Sequence, residues 1–195
     1  MQEKGRFLRK INIFLFCILF CGNTYGEDLS SKIIDYNNSL QNTSALFIQS
    51  GSETIEEGVI YFGKKRIRVE YKDPTKLTLI FSAKKGIYIN HDLKESQFFN
   101  TKKSYVSVFF KIFNKDYFLD KPNIKITKNL IQLSETAEID GIVYTIQIVY
   151  EINPIKLRKI LIFEQNKILE LGFFDHKFVK EFDKKFFSMI DPYIN

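Results

Sequence analysis

The sequence predicts a mostly β protein with two helical pieces, arranged as one large, curved antiparallel sheet. Three observations lead there. Between Gly58 and Asn90, consecutive strands each place a mostly apolar set on one parity: Ile60, Phe62 and Lys64 on the first, Ile67, Val69 and Tyr71 on the second, and Leu77, Leu79 and Phe81 on the third. The second half of the chain returns to short segments of alternating polarity, and only 28–42 and 104–113 carry helical spacing. The opposite parity of the central segments (Tyr61, Gly63, Arg66, Arg68, Glu70, Thr78, Ser82) is mixed, which predicts water on that face of the sheet.

The chain opens with Lys4, Arg6, Arg9 and Lys10 ahead of an apolar run from Ile11 to Cys21, broken only by Asn12. That run is too short for a membrane span and suits an export signal, with small residues placing cleavage near Gly26. Residues 1–26 are therefore expected to be a cleaved signal peptide, and 27–195 a single domain. The leader holds a net +3 of the formal +6, leaving about +3 on the mature chain, too little to indicate nucleic acid. Both cysteines, Cys17 and Cys21, lie in the leader, so the mature chain would have neither disulfide nor thiol chemistry. Lipidation at Cys21 is the alternative, and the bulky Phe20 before it argues against that. Over the whole sequence, apolar residues at 45% and charged residues at 27% mark a globular protein.

In order, Leu29, Ile33, Tyr36 and Leu40 predict a helix over 28–42 with Asp28 able to cap it. Asn37 and Asn38 are poor helix formers, so this helix must depend on packing. Thr43 to Ser50 reads as the first strand, and Asp73-Pro74 breaks the pattern between two later ones. After Asn90 come a turn and a short strand. In 104–113, Tyr105, Val108, Phe109 and Ile112 are at helical spacing; a lid helix, a core helix and a buried strand all fit that pattern. Strands follow over 124–126, 130–134, 142–152 and 157–164, continuing through 168–174, with turns at Gly141 and Asn153-Pro154. Asp183 to Ile190 is a short terminal segment containing Phe186 and Phe187.

Catalytic chemistry finds little support. His91 and His176 are isolated, each expected at the surface beside a turn, and no G-x-S-x-G elbow or metal-ligand spacing occurs. No enzyme activity, metal or cofactor is expected. Lys64, Lys65, Arg66 and Arg68, interleaved with Tyr61, Phe62 and Tyr71, could bind single-stranded nucleic acid or simply solvate a strand edge; export argues against nucleic acid. A greasy concave face under a short apolar helix reads as a lipid pocket.

Gly58, Tyr61, Lys64, Ile67, Arg68, Glu70, Tyr71, Asp73, Pro74, Ser82 and Tyr88, taken in order, resemble the LolA family of periplasmic carriers of outer-membrane lipoproteins. So do Ala45, Phe47 and Gln49 after the first helix, and Phe186-Phe187 ahead of Asp191-Pro192. The resemblance implies an unclosed antiparallel β-barrel with an N-terminal helix and a short lid helix over its concave apolar face. It implies an acyl-chain cavity lined by Ile60, Phe62, Ile67, Val69, Tyr71, Leu79 and Phe81, under a lid carrying Tyr105, Val108, Phe109 and Ile112. The family closes its lid through an Arg-Pro pair; here Lys64-Lys65 stand in that place, so lid control would fall to Lys64, Arg66 or Arg68. Implied partners are acylated lipoproteins as cargo, an inner-membrane ATP-driven releasing complex and an outer-membrane acceptor lipoprotein, with the carrier a periplasmic monomer. A lipid-anchored LolB-like acceptor and a periplasmic lipid or lipoprotein sensor share the fold and compete with this reading; a periplasmic hydrolase is a distant third.

Overall fold

The structure, a computed structural model, describes residues 24–51, 54–113 and 122–194, with side chains from Leu29 onward. The leader over 1–23, with Cys17 and Cys21, lies outside the described residues. The chain divides into two compact units, 1–35 and 36–195. Of the first, the described part is the opening turns of α1 (Thr24–Ser39). The helix begins and ends a few residues before the predicted 28–42.

The second unit holds eleven strands, all paired antiparallel with their neighbours: β1 (Thr43–Ser50), β2 (Ile55–Phe62), β3 (Ile67–Asp73), β4 (Leu77–Phe81), β5 (Gly86–Asn90), β6 (Glu95–Phe99), β7 (Asn123–Thr127), β8 (Leu130–Ile139), β9 (Ile142–Glu151), β10 (Lys156–Glu164) and β11 (Lys167–Phe178). Between β6 and β7 comes α2 (Val106–Ile112). The strand order is β6-β5-β4-β3-β2-β1-β11-β10-β9-β8-β7, so β6 and β7 remain edges. This is an unclosed, curved antiparallel barrel with helices, as the sequence led one to expect. Strands adjacent in sequence pair as hairpins on either side of α2; the β1–β11 pairing makes the long-range connection, with Phe47 opposite Phe173 and Gln49 opposite Leu171.

The register explains why one parity stays apolar across the whole sheet. Ala45 faces Ile60, Ile60 faces Val69, Val69 faces Leu79 and Phe62 faces Ile67, so the predicted apolar residues stand side by side on one surface. That surface continues through Leu171, Ile160, Ile148 and Leu133, all buried. Gly58 opens it because the strands crowd there. A Cβ at this position would clash with the Glu70 carbonyl oxygen and the Phe47 ring. The Asp73–Pro74 and Asn153–Pro154 turns fall between β3 and β4 and between β9 and β10, where the sequence placed them.

The opposite face of β2–β5 differs from expectation. It was predicted to face water, yet Thr78, Ile80, Ile87 and Ile89 are buried. The C-terminal residues 179–194 cross it, with Phe187 and Met189 packed on the three isoleucines. Tyr61 meets both Phe182 and Phe186 edge-on at 6.0 and 4.9 Å, and Phe182 stacks on Phe186 at 5.0 Å. The sequence marked the segment but not the surface it covers, because an aperiodic Phe-rich tail names no partner.

Candidate functional site

α2 sits on the inner face of β1–β4. Val106, Val108, Phe109 and Ile112 are buried, while Tyr105, at the helix start, is 39% exposed. Seven residues cannot hold a helix in water by propensity alone; burial of one face supplies the stability. Ser104 Oγ accepts from the Val106 N–H at 3.3 Å, and Asn100 caps the preceding turn. At its far end the Ile112 carbonyl accepts from Asn37 Nδ2 at 3.2 Å. Asn37 Oδ1 in turn accepts from the Tyr150 hydroxyl at 3.1 Å. Tyr150 is fully buried, and burial raises its pKa, so the phenol remains a neutral donor. Phe113 closes the end of the helix edge-on to Phe62 at 4.7 Å.

The residues expected to line a cavity part into two groups, and two of them also face a third space. Ile60, Val69, Tyr71, Leu79 and Phe81 converge on one apolar pocket with Phe109 and Val106 as its roof. Only about 40 Å³ of it is open, far too little for an acyl chain, because the helix fills the space. Phe62 and Ile67 instead border a second crevice of about 20 Å³ with Lys64, Arg66, Phe110 and Phe113. Tyr71 and Leu79 also face a larger chamber of about 460 Å³, together with Gln49, Glu56, Tyr88, Gln97 and Tyr105. The sequence named the apolar wall and missed the polar half of this chamber. The signal that could have found it was that Gln49 continues the inward parity of Ala45 and Phe47.

Inside the chamber, the Tyr71 hydroxyl donates to Gln49 Oε1 at 3.0 Å, and Gln49 Nε2 donates to Glu56 Oε2. Gln49 and Glu56 are direct cross-strand partners, which fixes this chain of bonds to the sheet. Burial, then neighbouring Tyr105, Glu56 and Tyr88, pushes the Tyr71 pKa well up. Tyr105 is raised by burial first and by Glu56 second.

The expected lid-control residues take other positions. β2 ends at Phe62, so Lys64 lies in the turn before β3 rather than in the strand. It borders the crevice at the end of α2, and among the described residues it makes no hydrogen bond to the helix. Arg66 Nη1 donates to the Phe187 carbonyl at 2.5 Å and Arg68 Nη1 to that of Phe186 at 2.8 Å. Arg68 also pairs with Glu70 at 2.7 Å and lies 4.6 Å from the centre of the Phe186 ring. Parity explains the correction: Arg68 alternates with Ile67 and Val69, so it points away from α2 and fastens the C-terminal segment. The Ile112 end of α2 is instead bonded by Asn37.

The histidines are structural. His91 joins Thr78 Oγ1 at 2.8 Å to the Tyr193 hydroxyl at 2.9 Å. His176, expected beside a turn, lies within β11 and donates from Nε2 to the Leu157 carbonyl at 3.0 Å. Its Nδ1 is buried without a hydrogen-bond partner, and burial lowers its pKa. Among the described residues, no group of three or more His, Cys, Asp or Glu side chains is gathered to hold a metal.

Fold and site together define an open antiparallel barrel whose apolar inner face is capped by a short helix and flanked by a polar chamber. No family model and no curated protein matches the chain. Among solved structures, it is similar to an uncharacterized conserved protein from Thermus thermophilus, at 10% identity and a TM-score of 0.48, over 80% of this chain and 94% of that one. It is also similar to MucB in complex with MucA(peri), at 6% identity and a TM-score of 0.44, over 83% of this chain and 58% of that one.

Proposed function

We propose that this chain is an exported carrier of acyl chains. On this reading it works in the periplasm as a monomer. It takes up lipoproteins released from the inner membrane by an ATP-driven complex and delivers them to an outer-membrane acceptor. The work is transfer without a covalent step, a cofactor or nucleic acid. The observation that supports it most is the seat of α2: an apolar wall of Ile60, Val69, Leu79 and Phe81 is covered by a seven-residue helix beside an open chamber, rather than by another strand.

The energies suit reversible uptake. Lifting α2 exposes Val106, Val108, Phe109 and Ile112, at roughly 2 kcal/mol each. About ten methylenes, at roughly 0.8 kcal/mol each, offset that cost. One long acyl chain of about fifteen methylenes therefore more than offsets the helix, and a second adds to the binding. Acyl chains free in water would instead stay exposed at a cost of tens of kcal/mol.

The test is to purify the exported protein from the periplasm and measure its intact mass along with whatever co-purifies. A soluble chain beginning near Glu27, unmodified and carrying acylated lipoprotein, is the expected result. Lipid on Cys21 would make the protein an anchored acceptor instead, and a soluble chain that never carries acyl groups would overturn the carrier reading.

A further inference from the structure

The chamber of about 460 Å³ beside the lid contains more polar chemistry than an acyl chain needs. Gln49, Tyr71, Leu79, Tyr105 and Val106 border both it and the apolar pocket under α2, so the two spaces share a wall. An amphiphile with its tails under α2 would therefore place its head in the chamber. We infer that the chamber is a head-group site for an amphiphile bearing a primary ammonium close to its acyl chains, with the half-buried Glu56 carboxylate as its counter-charge.

The inference rests on the carrier reading and adds the chemical class of the head. Among the described residues that border the chamber, Glu56 is the one acidic side chain, and none is a lysine or arginine. Its described partner there, the Gln49 amide, is neutral. The bond order also has a direction. Tyr71 donates to Gln49 and Gln49 donates to Glu56, so hydrogen-bond donation runs toward the carboxylate. One carboxylate has room for about four hydrogen bonds, and an ammonium brings three donors. An anionic head with no amine would instead bring a second, uncompensated negative charge into the chamber. The raised pKa values of Tyr71 and Tyr105, to which Glu56 contributes after burial, register the same negative field.

A primary ammonium beside acyl chains has two sources: the free α-amino group of an S-diacylglyceryl cysteinyl peptide, or the ethanolamine head of a phospholipid. A fully acylated peptide terminus has no ammonium and would lose the contact with Glu56.

The chain contains no tryptophan, so a peptide carrying one reports binding directly by fluorescence. The mature protein is titrated with an S-diacylglyceryl cysteinyl peptide having a free α-amino group, and with the same peptide N-acetylated. The free amine is expected to bind about tenfold more tightly, the equivalent of one well-placed, partly desolvated charge pair. The ratio should collapse to about one in Glu56→Gln. Competition by short-chain phosphatidylethanolamine but not phosphatidylglycerol would assign the ammonium to a phospholipid; competition by neither would assign it to the peptide terminus. Equal affinities in the wild type, or a ratio that survives Glu56→Gln, would overturn the inference and leave the carrier reading standing. Failure of both peptides to bind would overturn both.

Discussion

Two short segments cover the two faces of the same strands, and they are held differently. On the inner face, α2 buries four apolar side chains and is tied at its end by the Asn37 amide. On the outer face, residues 179–194 are fastened by two guanidinium groups on consecutive carbonyls, by a cluster of three phenylalanines around Tyr61, and by Ser96 and His91 at its far end. Charge-assisted bonds are about twice as strong as neutral ones. The outer cover is built as a permanent part of the sheet. The inner one buries four apolar side chains, and on the proposed carrier reading an acyl chain would replace that contact in kind.

Breaking the outer clamp should have the largest effect. Arg68→Ala removes the bond to the Phe186 carbonyl, the pair with Glu70 and the contact with the Phe186 ring. A loss of about 3 kcal/mol in urea-induced unfolding is expected, with little change in how fast an acylated probe enters. If uptake accelerates instead, the outer arginine governs the lid after all and the contrast between the faces fails.

Asn37→Ala should come next, at about 2 kcal/mol, because it frees the end of α2 and also strands the buried Tyr150 hydroxyl. Adding Tyr150→Phe removes the stranded hydroxyl. The double variant should regain much of the stability yet still take up an acylated probe severalfold faster than wild type by stopped-flow fluorescence. Wild-type uptake in the double variant would show that Asn37 does not hold the helix.

The smallest effect concerns His176, away from both covers. Its folded pKa lies below its unfolded value near 6.5, because protonating the buried Nδ1 would leave a cation without a hydrogen-bond partner. As pH falls, the unfolded chain takes up this proton first. The stability the neutral ring contributes is therefore complete above about pH 6.5 and is lost as pH falls from there through the folded value. His176→Gln keeps a donor for Leu157 and should flatten the fall in stability as pH drops below about 6.5. An unchanged slope would rule this histidine out as the source.

Much of the sheet was legible because parity is local. Thr43 to Ser50 became β1 with its predicted bounds, and Ile60, Val69, Leu79 and Phe81 share a face because a period of two survives wherever one side is buried. The 104–113 segment was ambiguous between helix and strand since short apolar runs fit both; its place on the inner face of β1–β4 makes it a helix. Asn37 shows the opposite case. By propensity it only weakens α1, and its use appears only once Tyr150 and Ile112, far away in sequence, are brought to its two amide atoms.

By itself, then, the sequence determined the strands, their turns and the apolar inner wall, all properties of residues within a few positions of one another. What only the tertiary structure decided is which surface each cover takes, which arginine or asparagine bonds to it, and that Gln49, Glu56 and Tyr71 meet beside α2. Those depend on contacts across the sheet and between distant segments, and side-chain identity alone does not say where a donor will find its acceptor.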